Sequence, residues 1–178
     1  MQLWISFCEV AMETRKVVHV GMLVALAMIL SFIESQIPAF VAIPGMKIGL
    51  ANIAVVFALY TLGFREALAV SVIRVILSAL LFGSVLSGLY SLCGALLSLS
   101  GMALLRRTGF FGIVGVSVSG AVLHNLGQTA VAWLILSSRA VIYYLPFLLF
   151  SAVAGGIVIG IVSAVLVMRI KGEPDGQR

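Results

Sequence analysis

The 178-residue sequence predicts an all-α membrane protein, a bundle of six transmembrane helices with both ends in the cytoplasm. Three observations carry that prediction. Apolar residues fill 62% of the positions and charged residues 10%, where a soluble domain has roughly 45–50% and 25%. So few charges cannot clothe a water-exposed surface, so lipid must be the solvent for most of the chain. The apolar residues fall into six runs, each read as a helix crossing the hydrocarbon core, which is ~30 Å thick and takes roughly 17–25 helical residues. Lysines and arginines, finally, gather at alternate ends of those runs.

The first run covers residues 17–35. It is followed by Gln36-Ile-Pro38 with no small-residue cleavage site, so it reads as a retained anchor and not as a secretory leader. Residues 1–16 before it form a cytoplasmic extension, within which Met12 is an alternative start. The second run, 48–63, opens after an apolar connection holding Pro38, Pro44 and Gly45, which precludes regular helix there. An apolar loop is out of place in water, so it is expected to fold back into the mouth of the bundle. The third and fourth runs, 67–83 and 84–105, are separated only by Phe82-Gly-Ser84, which implies a tight or partly immersed turn. The fifth covers 110–136 and the sixth 140–170, leaving 171–178 as a tail. One transmembrane domain, 17–170, therefore makes up most of the chain.

Orientation follows from the basic residues. With the N-terminus inside, Arg15, Lys16, Arg65, Arg106, Arg107, Arg169, Lys171 and Arg178 all lie at cytoplasmic ends, and only Lys47 and Arg139 lie outside. The net charge of +5 is spread over these flanks and forms no basic stripe, which argues against a nucleic-acid partner. Membrane lipid and the cell's cytoplasmic membrane are the expected surroundings. Cys8 and Cys93 lack metal-ligand spacing and do not suggest a disulfide framework.

Small residues recur at four-residue intervals in two places: Gly21 and Ala25 in the first run, and Ala152, Gly156, Gly160 and Ala164 in the sixth. Such stripes let another backbone approach closely. Packing within the bundle and docking of a partner are both open readings, and the first is the simpler.

Charges inside a membrane are costly, so each needs a reason. Arg74 lies about seven residues, or ~10 Å, into the third run, too deep for a simple flank. His124 and Gln128 share one face of the fifth helix one turn apart, with Asn125 offset by about 100°. Lys47 and Asn52 stand at the entry of the second run, with Glu34 across from them and Arg139 and Tyr143 at the outer end of the sixth. Together these residues would line the outward half with polar and net-cationic groups, suiting a small anionic or amide-bearing ligand. Structural pairing, an interhelical clasp and interfacial anchoring are the corresponding bland readings. The histidine has no partner set for a metal, and no cofactor is implied.

The stretch Pro44-Gly-Met-Lys-Ile-Gly-Leu-Ala-Asn-Ile53 resembles the hallmark of the family called heptaprenyl diphosphate synthase component I, also known as the Gx transporter family. The likeness continues through Gly63-Phe-Arg-Glu-Ala67, Arg74-Val-Ile-Leu-Ser78, Leu81-Phe-Gly83, Gly120-Ala-Val-Leu-His-Asn-Leu-Gly-Gln128 and Tyr143-Tyr-Leu-Pro146. That family is in turn similar to the substrate-binding S components of energy-coupling-factor transporters. The resemblance implies six helices, inward termini and an outer ligand pocket capped by the loop after the first helix. It also implies a first helix whose small residues dock a membrane scaffold that works with ATPase subunits. Gly21 and Ala25 fit that role loosely, because the usual alanine pair is not reproduced.

A prenyl synthase ionises an allylic diphosphate held through Mg²⁺ by clustered aspartates, since hard cations take carboxylate oxygens. The only aspartate here is Asp175, in the tail, and no Walker-type loop is present. The chain is thus expected neither to catalyse prenyl transfer nor to hydrolyse ATP. Three functions remain. The first is an S-component-like subunit capturing a small organic solute, such as a vitamin or cofactor precursor. The second is a noncatalytic membrane partner of a soluble polyprenyl (heptaprenyl) diphosphate synthase. The third is a proton-coupled carrier using Glu34 or His124.

Overall fold

In the computed structural model the backbone is described for residues 2–36, 49–136 and 140–171. Six α-helices and no strand occur among them: α1 (Gln2–Ser35), α2 (Asn52–Thr61), α3 (Phe64–Phe82), α4 (Val85–Thr108), α5 (Ile113–Leu136) and α6 (Ala140–Lys171). Three are long and apolar enough to cross a membrane: α1 over Thr14–Ser35, α4 over Val85–Thr108, and α6 over Leu145–Ile170. Apolar side chains such as Val17, Met22, Leu80, Leu104, Phe150 and Ile170 face outward all round the bundle, as a lipid-facing surface requires.

Two elements differ from the sequence-based expectation. Helix α1 begins at Gln2, so the segment expected as an extension is helical as well. Glu9, Glu13, Arg15 and Lys16 end the apolar run, but nothing before Gly21 is a proline or glycine, so the helix itself continues. Hydropathy marks where lipid ends, not where helix ends. Helix α2 has 10 residues, about 15 Å, and is shorter than the expected 48–63. Its start is set by a turn in which Gly49, at φ 80°, accepts from the Asn52 N–H at 2.8 Å. Its end is set by Gly63, at φ 121°, where a side chain would be strained.

The α3–α4 turn is as tight as Phe82-Gly-Ser84 suggests. Gly83 is extended, and the Ser84 hydroxyl accepts from the Ser87 N–H at 3.2 Å, capping α4. Gly109, left-handed at φ 72°, closes the other end of α4.

Contacts between helices close a ring in the order α1, α3, α4, α5, α6, α2 and back to α1, with α2 also against α3. The core is built mainly of Ala51, Ala54, Val55, Val56, Ala58 and Leu59 of α2 and its preceding turn, with Ala67, Val70, Leu99, Met102 and Val116 around them. Short α2 is therefore the most enclosed helix. The α4–α5–α6 wall is held by backbone proximity: a carbon added at Gly127 would lie 2.9 Å from Gly94 Cα, and one at Gly156 2.7 Å from Val118 Cα. The small-residue stripe of the sixth helix thus packs inside the bundle against α5. The stripe of the first helix does not. Gly21 and Ala25 are exposed, and nothing approaches within 4 Å of a carbon added at Gly21, so the simpler reading of internal packing fails there.

Candidate functional site

The polar residues that hydropathy makes anomalous converge. Asn52 from the first turn of α2, Arg74 from the middle of α3, and His124, Asn125 and Gln128 from α5 line one cleft, joined by Gly49, Ala121, Ala152 and Ile159. Its unfilled space is about 480 Å³, open solvent at the mouth included. Four elements of the ring contribute, so the cleft occupies the interior of the bundle and not a groove on its lipid-facing side.

Each polar side chain is placed by a different constraint. Asn125 donates from Nδ2 to the Leu148 carbonyl at 2.7 Å, tying α5 to α6, and Ser151 Oγ donates to that same carbonyl at 2.9 Å. Gln128 donates from Nε2 to Ser91 Oγ at 3.2 Å, tying α5 to α4. These are interhelical bonds of the kind that fix helix rotation where no water competes. Arg74 differs. Its Nε is buried without a hydrogen-bond partner, and among the described residues the guanidinium makes no ion pair within 4 Å. A guanidinium carries its charge at every accessible pH, and the Glu34 carboxylate attracts it only from beyond ion-pair distance, so this cation has no direct partner inside the bundle among the described residues. The Asn52 side chain likewise makes no hydrogen bond among the described residues.

Glu34 does not line the cleft but holds its wall. Its Oε1 accepts the Gly49 N–H at 2.6 Å, joining the end of α1 to the turn that begins α2. Tyr143 stands apart, 77% exposed on the outer surface of α6. Lys47 and Arg139 lie outside the described residues. The structure therefore brings together five of the sequence-selected residues and attaches a sixth, Glu34, one contact away.

Gly49, Ala121, Ala152 and Ile159 are not legible as wall residues in the sequence, because a small or apolar residue in an apolar stretch carries no signal. Sequence reasoning also took Arg106 for a simple flank. Arg106 donates from Nη1 to the Leu59 carbonyl and lies over the Tyr60 ring, 4.9 Å from its centroid, so it closes the end of α2. No group of three or more His, Cys, Asp or Glu side chains that could hold a metal occurs among the described residues.

An all-helical membrane-type bundle with a polar cleft in its interior is the class of protein that fold and site define. The family model for heptaprenyl diphosphate synthase component I matches residues 23–166. The chain belongs to that family. No curated protein and no solved structure matches it.

Proposed function

We propose that this chain is a noncatalytic membrane subunit that partners a soluble polyprenyl diphosphate synthase. The family match over residues 23–166 carries this reading. Within that stretch the only carboxylates are Glu34 and Glu66, and Glu34 is engaged with Gly49, which leaves no aspartate cluster for a diphosphate-bound Mg²⁺. The chain would span the cytoplasmic membrane six times with both termini inside, a topology supported by its basic flanks.

A second reading is favoured by the cleft. An interior cavity with an unpaired Arg74 and a ring of amides suits capture of a small solute, the task of an S-component-like transport subunit. In that setting the exposed Gly21 and Ala25 face of α1 would dock a membrane scaffold with its ATPase subunits. Ala25→Leu should then leave folding and ligand retention intact while abolishing co-purification with the scaffold.

Purification from membranes in mild detergent, followed by mass spectrometry, separates the two readings. A retained long isoprenoid together with a co-purifying soluble synthase supports the first. A retained water-soluble metabolite without isoprenoid supports the second and sinks the first.

A further inference from the structure

The hydrogen-bonding polarity of the cleft restricts what it can hold. A peptide carbonyl only accepts, so the Asn125 atom that meets the Leu148 carbonyl at 2.7 Å must be the amide nitrogen. The amide orientation is thereby fixed by its partner. Asn125 lines the cleft, and it has left the second N–H of Nδ2 and its carbonyl Oδ1, an acceptor that receives no hydrogen bond among the described residues. Arg74 offers the opposite: only donors, with a permanent positive charge, and a buried Nε that has no partner. The Glu34 carboxylate attracts it without a direct ion pair and has Oε1 bonded to the Gly49 N–H. Asn52 can serve either way.

We infer that the cleft takes a small organic acid that also carries an N–H or O–H donor, its anionic group on Arg74 and its donor on Asn125 Oδ1. The inference rests on the capture reading. A prenyl diphosphate is the poorer match, because its polar end can accept from Arg74 and the amide N–H groups but supplies no donor to Asn125 Oδ1. Size points the same way. The unfilled space of about 480 Å³ includes the open mouth, so the enclosed part is smaller still and has room for a small molecule but not for the whole of a seven-unit isoprenoid.

The test uses the full chain in detergent and two probes: a polar metabolite extract of the expression host, and geranyl diphosphate. Wild type and Arg74→Gln are each incubated with either probe, freed of unbound molecules by gel filtration, and analysed by mass spectrometry beside a melting curve. Wild type should retain an organic acid with an N–H or O–H group. Arg74→Gln should bind it about tenfold to hundredfold more weakly, the loss expected for one charge-assisted contact. If Arg74→Gln fails to fold, Arg74→Lys keeps the charge but not the Nε donor, and should show a smaller loss of the same acid. Arginine-dependent retention of an acid lacking any donor would overturn the inference and leave the capture reading standing. Arginine-dependent retention of geranyl diphosphate, with no acid held, would overturn both and favour the synthase partnership. Retention of neither probe by folded wild type would also overturn both.

Discussion

Arg74 and Arg106 show how differently two arginines at helix positions can be used. Both are conspicuous in an apolar sequence, yet Arg106 is answered by the Leu59 carbonyl and the Tyr60 ring, while Arg74 has no hydrogen-bond partner at its buried Nε and only the more distant attraction of the Glu34 carboxylate. Replacing Arg106 should therefore act on stability. Arg106→Gln loses a charged hydrogen bond and a cation–π contact, together about 2 kcal/mol, and should lower the melting temperature without altering what the cleft retains. Replacing His124 by alanine should do the converse, weakening retention by less than Arg74→Gln does. Glu34 is a positioning residue. Glu34→Gln keeps an oxygen for the Gly49 N–H and should be mild, whereas Glu34→Ala strands a half-buried donor at a cost of about 1–3 kcal/mol. Melting curves of the two Glu34 variants side by side check this, and equal stability would dissolve the assigned role. At this scale the sequence was informative wherever polarity is expensive: Asn52, Arg74, His124, Asn125 and Gln128 stand out because lipid gives them no other reason to exist. The Arg106 contact was not legible, since a capping arginine and a flanking arginine look the same in one dimension.

Helices α3 to α6 start and stop within a few residues of the apolar runs that announce them, because Gly83, Gly109 and the polar turns punctuate them. The starts of α1 and α2 were hidden for opposite reasons. Helix α1 continues through charged residues that hydropathy discounts, and α2 begins only after a Gly49 turn inside an apolar stretch that hydropathy counts in full. Glycine spacing was equally ambiguous, since the same four-residue interval lies inside the bundle in α6 and outside it in α1. A pair of substitutions separates them. Gly156→Leu would force side-chain atoms against Val118 Cα, already 2.7 Å from a single added carbon, and should destabilise by at least the ~1–3 kcal/mol of ordinary overpacking. At Gly21 a single added carbon meets nothing within 4 Å, and leucine favours helix over glycine by close to 1 kcal/mol, so the melting temperature of Gly21→Leu should hold or rise. A marked loss at Gly21 would mean that α1 packs against a neighbour there.

The whole bundle is ordered by which helix ends meet. Glu34 at the end of α1 reaches Gly49 before α2, so those two ends share a level. Arg106 near the end of α4 reaches Leu59 and Tyr60 near the end of α2, so α2 and α4 run the same way and α1 runs against them. Helices α2 and α4 thus end on one face, and that face carries exposed Arg65 just after α2 and exposed Arg107 at the end of α4. The opposite face carries the start of α2, and Lys47, outside the described residues, is expected from the sequence on the outer side. Basic residues are retained on the cytoplasmic side during insertion, so the Arg65 and Arg107 face should be cytoplasmic and the mouth formed by the Gly49 turn should look outward. In a background with Cys8 and Cys93 replaced by serine, single cysteines at Ala42 and Ser138 should react with an impermeant maleimide added to intact cells, and one at Thr108 should react only after lysis. Thr108 is exposed at the end of α4, its hydroxyl donating to the Leu105 carbonyl, so failure to label it from outside cannot come from burial in the protein. Labelling of position 108 from outside would invert the molecule in the membrane, and the cleft would then draw its ligand from the cytoplasm, where a synthase subunit would sit.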